Sequence, residues 1–246
     1  MNEPIVKTSS GAVRGRDEQG VTAFKGIPFA AAPVGQRRFA APVPPQPWDG
    51  VREASAFSPT PPQADLSSQR IPGLDLRPIV GESWRKGDDY LTLNIWTPDP
   101  GARGLPVMVY IYGGAFVSGG SSTPLYSGAR FACDGVVLVS FNYRLGVEGF
   151  LPLSGGESNV GLRDQIAALT WVQDNIAAFG GDPNKVTIFG ESAGALSVDT
   201  LLAVPSAAGL FRRAISQSGG GQHTMSIEQA ARVSARLARL DHSSRR

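Results

Sequence analysis

The chain has 246 residues, 41% hydrophobic and 18% charged, which are ordinary globular proportions and exclude disordered, coiled-coil and collagen-like classes. Its 23 basic and 21 acidic residues give a net charge of +2 with no clustered basic stripe, so nucleic acid is not an expected partner. Cys133 is the only cysteine, the start Met-Asn-Glu-Pro-Ile-Val-Lys lacks the apolar core of a signal peptide, and no apolar run nears the ~20 residues of a membrane span; a cytoplasmic protein without internal disulfide or membrane contact is expected.

The length suits one large core, so residues 1–246 are expected to form a single domain. Ile5 to Lys7, Ala12 to Arg14 and Val21 to Phe24 read as short antiparallel strands separated by Ser9-Ser10-Gly11 and a polar Asp17 to Gly20 turn. From Gly26 to about Pro78 the chain is rich in Pro, Gly and Ala, which predicts a long irregular segment wrapping the surface. Leu91 to Trp96 alternates like a half-buried strand, whereas Val107 to Ile111 and Val136 to Phe141 are the continuous apolar runs of strands buried on both faces.

Leu162, Ile166, Leu169, Val172 and Ile176 recur every three or four residues and predict an amphipathic helix ending at Gly180-Gly181. Val186 to Phe189 is the next buried strand, Ala193 to Leu202 a helix, Phe211 to Ser216 a strand and Ile227 to Leu240 a final amphipathic helix. Strands alternating with helices make the class α/β, with a mostly parallel sheet, helices on both its faces and a small antiparallel sheet at the N-terminus.

Gly190-Glu191-Ser192-Ala193-Gly194 fits G-x-S-x-G between a strand and a helix, the context in which that pattern presents a nucleophilic serine. Glycines two positions either side of Ser192 remove side chains that would collide in a sharp turn, and Ser192 is expected to hold a strained, positive φ. The following helix aims free N–H groups and its positive dipole end at the same place, so the N–H of Ala193 suits a developing oxyanion. Tyr112-Gly113-Gly114-Ala115-Phe116 ends a buried strand where such an enzyme places its other oxyanion donors; by itself Gly-Gly is only a strand-ending turn.

Residues Phe179 to Gly194 resemble the active-site signature of the type B carboxylesterases, the family of bacterial aryl esterases and cholinesterases, on an α/β-hydrolase fold. The resemblance extends through Phe24 to Ala30, Arg38 to Pro42, Leu91 to Pro98, Asn142 to Gly146 and Gln217 to Gly219. It implies Ser192 as nucleophile, the N–H groups of Gly114, Ala115 and Ala193 as oxyanion hole, Glu191 beside Ser192 in the gorge, and the ion pairs Arg38 with Asp88 and Arg144 with Asp164. The substrate it implies is a small-molecule ester, with no metal and no cofactor. Tyr90 stands where many relatives carry a cysteine after an acidic pair, so that disulfide is not expected.

The family's acid and histidine lie in a C-terminal half expected to follow Leu240, whereas the chain continues only through Asp241-His242-Ser243-Ser244-Arg245-Arg246, so that part is expected to be missing. His223, just after Gly219-Gly220-Gly221, is a gorge-lining candidate, more a pocket wall than a base, and His242 reads as part of a fraying tail. Two readings therefore stand. One is a serine carboxylesterase that works through an acyl-enzyme and needs a complementing C-terminal fragment; the other is an inactive remnant or non-catalytic binding module.

Overall fold

A computed structural model describes residues 3–18, 20–64, 84–152, 157–222 and 224–243. Strands β1 (Ile5–Lys7) and β2 (Ala12–Arg14) pair antiparallel, with Val6 opposite Val13. Strand β3 (Arg16–Glu18) forms where the sequence suggested a polar turn, with Arg16 and Glu18 on one face of the strand and Arg16 Nε donating to Glu18 Oε1 at 3.0 Å. It pairs antiparallel with β4 (Val21–Pro28), which runs four residues further than its apolar pattern indicated. A bulge between Phe24 and Ile27 carries β4 past Gly26, whose φ is 71° and whose N–H donates to Asn94 Oδ1 at 3.1 Å. Only glycine adopts that φ without strain.

Strand β5 (Val51–Glu53) adds in parallel to β2, so the small sheet has the order β1-β2-β5 and is not wholly antiparallel. Next come β6 (Thr92–Thr97), β7 (Leu105–Ile111), α1 (Ala129–Cys133), β8 (Val137–Phe141), α2 (Gly146–Phe150), α3 (Val160–Asn175), β9 (Gly181–Glu191), α4 (Ala193–Ala203), β10 (Arg213–Gln217) and α5 (Ile227–Ser243). The seven-stranded main sheet runs β10-β9-β7-β8-β6-β4-β3, parallel from β10 to β8 and antiparallel from β8 to β3. Of the N-terminal strands, β3 and β4 thus extend the main sheet, while β1 and β2 form the small one with β5.

Alternate residues of the central strands feed two cores. Phe24, Ile95, Val109 and Val139 pack with Ala168, Leu169 and Val172 of α3, while Ala23, Trp96 and Leu138 pack with Ala129 and Ala132 of α1 on the other face. Helices on both faces follow from that alternation. All of β6 is buried although its sequence alternates like a half-buried strand, because α1 packs on Trp96 while Asn94 bonds to Ser121 and Ser140. The buried face of α3 is also rotated from the predicted stripe: Leu162 and Ile166 are half-buried, and polar Asp164 and Gln165 are enclosed instead.

Asp164 explains the rotation. Its carboxylate receives Arg144 Nε at 2.8 Å, Nη2 at 2.6 Å and the backbone N–H at 3.0 Å, and both side chains are wholly buried. Arg144 Nη1 also donates to the carbonyls of Arg37, Arg38 and Ala40 at 3.2, 3.1 and 2.7 Å. The expected pairing of Arg38 with Asp88 does not form. Arg38 Nε donates at 2.7 Å to Glu148 of α2, whose other carboxylate oxygen accepts from Tyr90 at 3.0 Å. Glu148 is thus held between Arg38 and Tyr90, whereas Asp89 of the acidic loop pairs with Arg52 at 3.2 Å.

Asp164→Ala should therefore lower the unfolding free energy by about 3–5 kcal/mol, read from the urea midpoint, because it leaves a buried guanidinium charge unpaired. A second expectation concerns acid. Desolvation raises the Glu18 carboxyl pKa, but bonds and charge from Lys25 and Arg16 outweigh it, leaving the value lowered. A carboxylate lowered on folding contributes stability that is present above its unfolded value and lost as pH falls through the folded one. Urea midpoints for Glu18→Gln should hence fall less steeply than those of the parent below about pH 4.5.

Candidate active site

Strand β9 delivers Glu191 and Ser192 to a turn from which α4 starts at once. Ser192 has φ 55° and ψ −121°, a conformation that costs an L-residue on the order of 1–3 kcal/mol. The surroundings hold it there: its N–H donates to Gln217 of β10 at 3.0 Å, and its carbonyl accepts from Leu196 at 3.0 Å. A Cβ on Gly190 would lie 2.7 Å from the Ile111 carbonyl oxygen and 2.6 Å from the Gly194 carbonyl carbon. A Cβ on Gly194 would overlap the same Ile111 carbonyl. Both glycines of the motif are thus required by contact with the end of β7, which is how the serine comes to sit on an exposed corner of the sheet.

Beyond β7, Tyr112 stacks on Tyr143 with ring centroids 4.5 Å apart, and the two exchange hydrogen bonds, Tyr143 Oη to the Tyr112 carbonyl at 2.7 Å and Tyr112 Oη to the Tyr143 carbonyl at 3.3 Å. Burial pushes both phenols well above their ordinary pKa, so they act as neutral struts. From this base the chain passes through three consecutive left-handed residues, Gly114 at φ 115°, Ala115 at 54° and Phe116 at 62°. The Gly114 carbonyl takes the N–H groups of Val117 and Ser118, each at 3.0 Å, while Gly146 N–H holds the Phe116 carbonyl at 2.7 Å. The Phe116 ring leans on Phe150 at 4.7 Å. Gln63 clamps the far end, donating to the Gly119 carbonyl at 2.8 Å and accepting its N–H at 2.9 Å.

The loop and the serine turn touch. A Cβ on Gly113 would stand 3.1 Å from Ser192 Cβ and 2.7 Å from the Glu191 carbonyl, and the Glu191 carboxylate lies on the same side, with Oε2 3.1 Å from that position. Among the described residues no hydrogen bond leaves the N–H of Gly114 or Ala115. Ala193, first residue of α4, belongs to the helix positions that have no intrahelical acceptor. Ser192, Gly114, Ala115, Ala193 and Glu191 are therefore brought together at the C-terminal ends of β7 and β9.

His223 lies outside the described residues, and of His242 only its place in α5 is described. Two supports escaped the sequence reading. Gln63 reaches the loop across 56 positions of sequence, so no local pattern reveals it. Gln165 of α3 donates to Ser197 Oγ at 3.0 Å, which donates to the Ala193 carbonyl at 3.1 Å, bracing the first turn of α4 from behind. A glutamine inside the apolar stripe of α3 was the available signal. No group of acidic, His or Cys side chains that could hold a metal ion occurs among the described residues.

Glycine adopts a positive φ with little penalty. Ser192→Gly should thus be more stable than Ser192→Ala by about 1 kcal/mol in urea unfolding, because both remove the hydroxyl and only glycine relieves the strained backbone. Equal stabilities would show that the turn stores no strain at this residue.

The chain matches the carboxylesterase family over residues 2–242. It is 49% identical over 241 residues to the para-nitrobenzyl esterase of Bacillus subtilis (strain 168), covering 96% of this chain and 47% of that protein. It is 43% identical over 247 residues to the phenmedipham hydrolase of Pseudarthrobacter oxydans, covering 98% and 48%. A solved PNB esterase superimposes with a TM-score of 0.85 at 48% identity, over 96% of this chain and 47% of that one. The Geobacillus stearothermophilus carboxylesterase does so with a TM-score of 0.79 at 48% identity, over 89% and 44%. The chain spans about half the length of these relatives, and with its serine turn, glycine loop and α/β-hydrolase sheet it belongs to the carboxylesterase family.

Proposed function

We propose that the chain provides the nucleophile and oxyanion hole for hydrolysis of small-molecule carboxylic esters, without a metal or cofactor. Ser192 Oγ attacks the ester carbonyl carbon while its proton passes to a base. The carbonyl π-pair moves to oxygen, and that oxyanion is met by the N–H groups of Gly114, Ala115 and Ala193. Collapse re-forms the carbonyl, breaks the bond to the alcohol oxygen and protonates it, leaving an acyl-Ser192 ester. Water repeats the sequence on that ester and releases the carboxylic acid. Glu191, beside Gly113, lines the same corner and adds negative charge on the side from which a cationic base would be favoured.

The observation that supports this reading best is the strained Ser192 turn set against a loop whose N–H groups at Gly114 and Ala115 are free of protein acceptors among the described residues. Donors of this kind are open to an acceptor that arrives from outside. The alternative is a non-catalytic binding module on the same fold. Without a base, serine hydrolases retain a residual ~10³ to 10⁴-fold acceleration over water from the oxyanion hole and binding.

The name of the Bacillus subtilis relative makes para-nitrobenzyl esters the first substrates to try. The purified chain should release alcohol from para-nitrobenzyl acetate above the buffer rate and take up a fluorophosphonate probe, and Ser192→Ala should abolish both. Turnover that survives Ser192→Ala would refute the nucleophile, and absence of both signals in the parent would favour the binding module.

A further inference from the structure

The glycine loop closes on itself, and a residue distant in sequence holds the closure. The Ser118 carbonyl lies against Gly114: a Cβ added there would collide with its oxygen and stand 2.8 Å from its carbon. Ser118 also returns its N–H to the Gly114 carbonyl at 3.0 Å and its hydroxyl at 3.2 Å. Gly119 then packs against the start of the loop, where a Cβ would lie 2.8 Å from the Gly113 carbonyl oxygen and 2.7 Å from Tyr112 Cδ2. The Ser118 carbonyl and the Gly119 N–H belong to one peptide plane. Its oxygen edge rests on Gly114, and its N–H edge donates to Gln63 Oε1 at 2.9 Å.

The amide of Gln63 suits that position, because it offers an acceptor and two donors in one plane. Its Nε2 donates to the Gly119 carbonyl at 2.8 Å and to the Pro61 carbonyl at 3.2 Å, so one side chain fixes the peptide planes on both sides of Gly119. The strap that carries Gln63 is itself anchored. Asn142 Nδ2 donates to the Pro59 carbonyl at 3.1 Å, while Asn142 Oδ1 accepts the Ser121 N–H at 2.9 Å. Thr60 N–H donates to the Arg85 carbonyl at 2.9 Å, and its hydroxyl accepts the Arg85 N–H at 3.0 Å. Gly120 fits against Thr60, where a Cβ would come within 2.7 Å of Thr60 Cγ2.

We infer that Gln63 is a positioning residue for the oxyanion donors. By accepting the Gly119 N–H it keeps the plane between Ser118 and Gly119 turned toward Gly114, and with it the left-handed path that leaves the Gly114 and Ala115 N–H groups open. The catalytic part of this inference rests on the proposed role of those N–H groups; the geometric part does not. Ala115 and Phe116 hold φ 54° and 62°, where residues with side chains are strained, so the loop needs an external hold to keep that path. Rotation of the plane would withdraw the Ser118 carbonyl from Gly114 and let the loop relax. The acceptor oxygen of Gln63 therefore matters more to the site than its donor, which holds the next plane along the chain.

Gln63→Met keeps the length of the side chain and removes both bonds to Gly119, whereas Gln63→Glu keeps the acceptor. In amide hydrogen exchange followed by NMR on the full chain, the Gly119 N–H should exchange about tenfold faster in Gln63→Met and stay near the parent rate in Gln63→Glu. The Gly114 and Ala115 amide resonances should move in the methionine variant. With para-nitrobenzyl acetate, Gln63→Met should lower kcat about tenfold with KM little changed, the split expected when only transition-state stabilisation is lost, and Gln63→Glu should retain most of the parent kcat. Gln173→Met removes a comparable pair of bonds, to the Pro183 and Leu210 carbonyls at 2.9 Å each, and should lower the urea midpoint without changing kcat. If Gln63→Met does not fold, Gln63→Asn, which withdraws the amide by one methylene, takes its place in every comparison. Unchanged Gly119 protection, or Gly114 and Ala115 resonances that stay in place once it is lost, overturns the positioning role. So does an equal kcat in Gln63→Met and Gln173→Met. A parent without turnover, or turnover that survives Ser192→Ala, rejects the oxyanion reading instead, and the exchange result then decides the geometric part by itself.

Discussion

The buried pair of Arg144 and Asp164 is the contact on which the rest of the molecule depends. One guanidinium joins the carboxylate of α3, its own loop at the end of β8, and the carbonyls of Arg37, Arg38 and Ala40 in the irregular N-terminal segment. Burial pushes the Asp164 carboxyl upward, and three hydrogen bonds from Arg144 act against that shift. Desolvating two charges is expensive, and complete coordination is what makes such a pair tolerable. Asp164 and Gln165 are neighbours on α3, so the helix orientation set by Arg144 also aims Gln165 at Ser197 and the first turn of α4.

Strain and close packing at the site are complementary. Ser192 and the run Gly114, Ala115 and Phe116 all hold positive φ, and none would persist in an unsupported loop. Each is over-determined: Ser192 by β10 and the contacts of Gly190 and Gly194 with β7, the loop by the stacked tyrosines, the Gly146 N–H, Phe150 and Gln63. The result leaves the N–H groups of Gly114 and Ala115 without an acceptor among the described residues, while the loop around them is held by the bonds of Gly114, Phe116 and Gly119. Preorganised donors of that kind require no rearrangement when negative charge develops before them.

The main sheet is asymmetric in the same sense as the site. Its antiparallel end is closed off by charged β3, and its interior is sealed on both faces by α1 and α3. Its parallel end, where β9 presents Ser192, finishes on an exposed β10 beside the open apolar faces of α4 and α5. The serine turn thus lies next to the exposed edge strand β10, whose Gln217 carbonyl accepts the Ser192 N–H.

Much of this was legible in the sequence because it is locally enforced. The turn at Ser192 needs small residues two positions away on each side, and Tyr112 to Phe116 needs glycine where φ turns positive, so short patterns announce both. Continuous apolar runs likewise placed β7, β8 and β9 inside the sheet, since strands covered on both faces lack a polar side. Long-range pairing decided the rest. Arg38 chose Glu148 over Asp88 because α2 packs that carboxylate beside Tyr90, a geometry set by elements 110 residues apart. The capture of β4 into the main sheet, the enclosure of β6 by α1, and the rotation of α3 toward Asp164 depend on which surfaces meet. A side-chain pattern records that a face is apolar; only the folded chain determines what covers it.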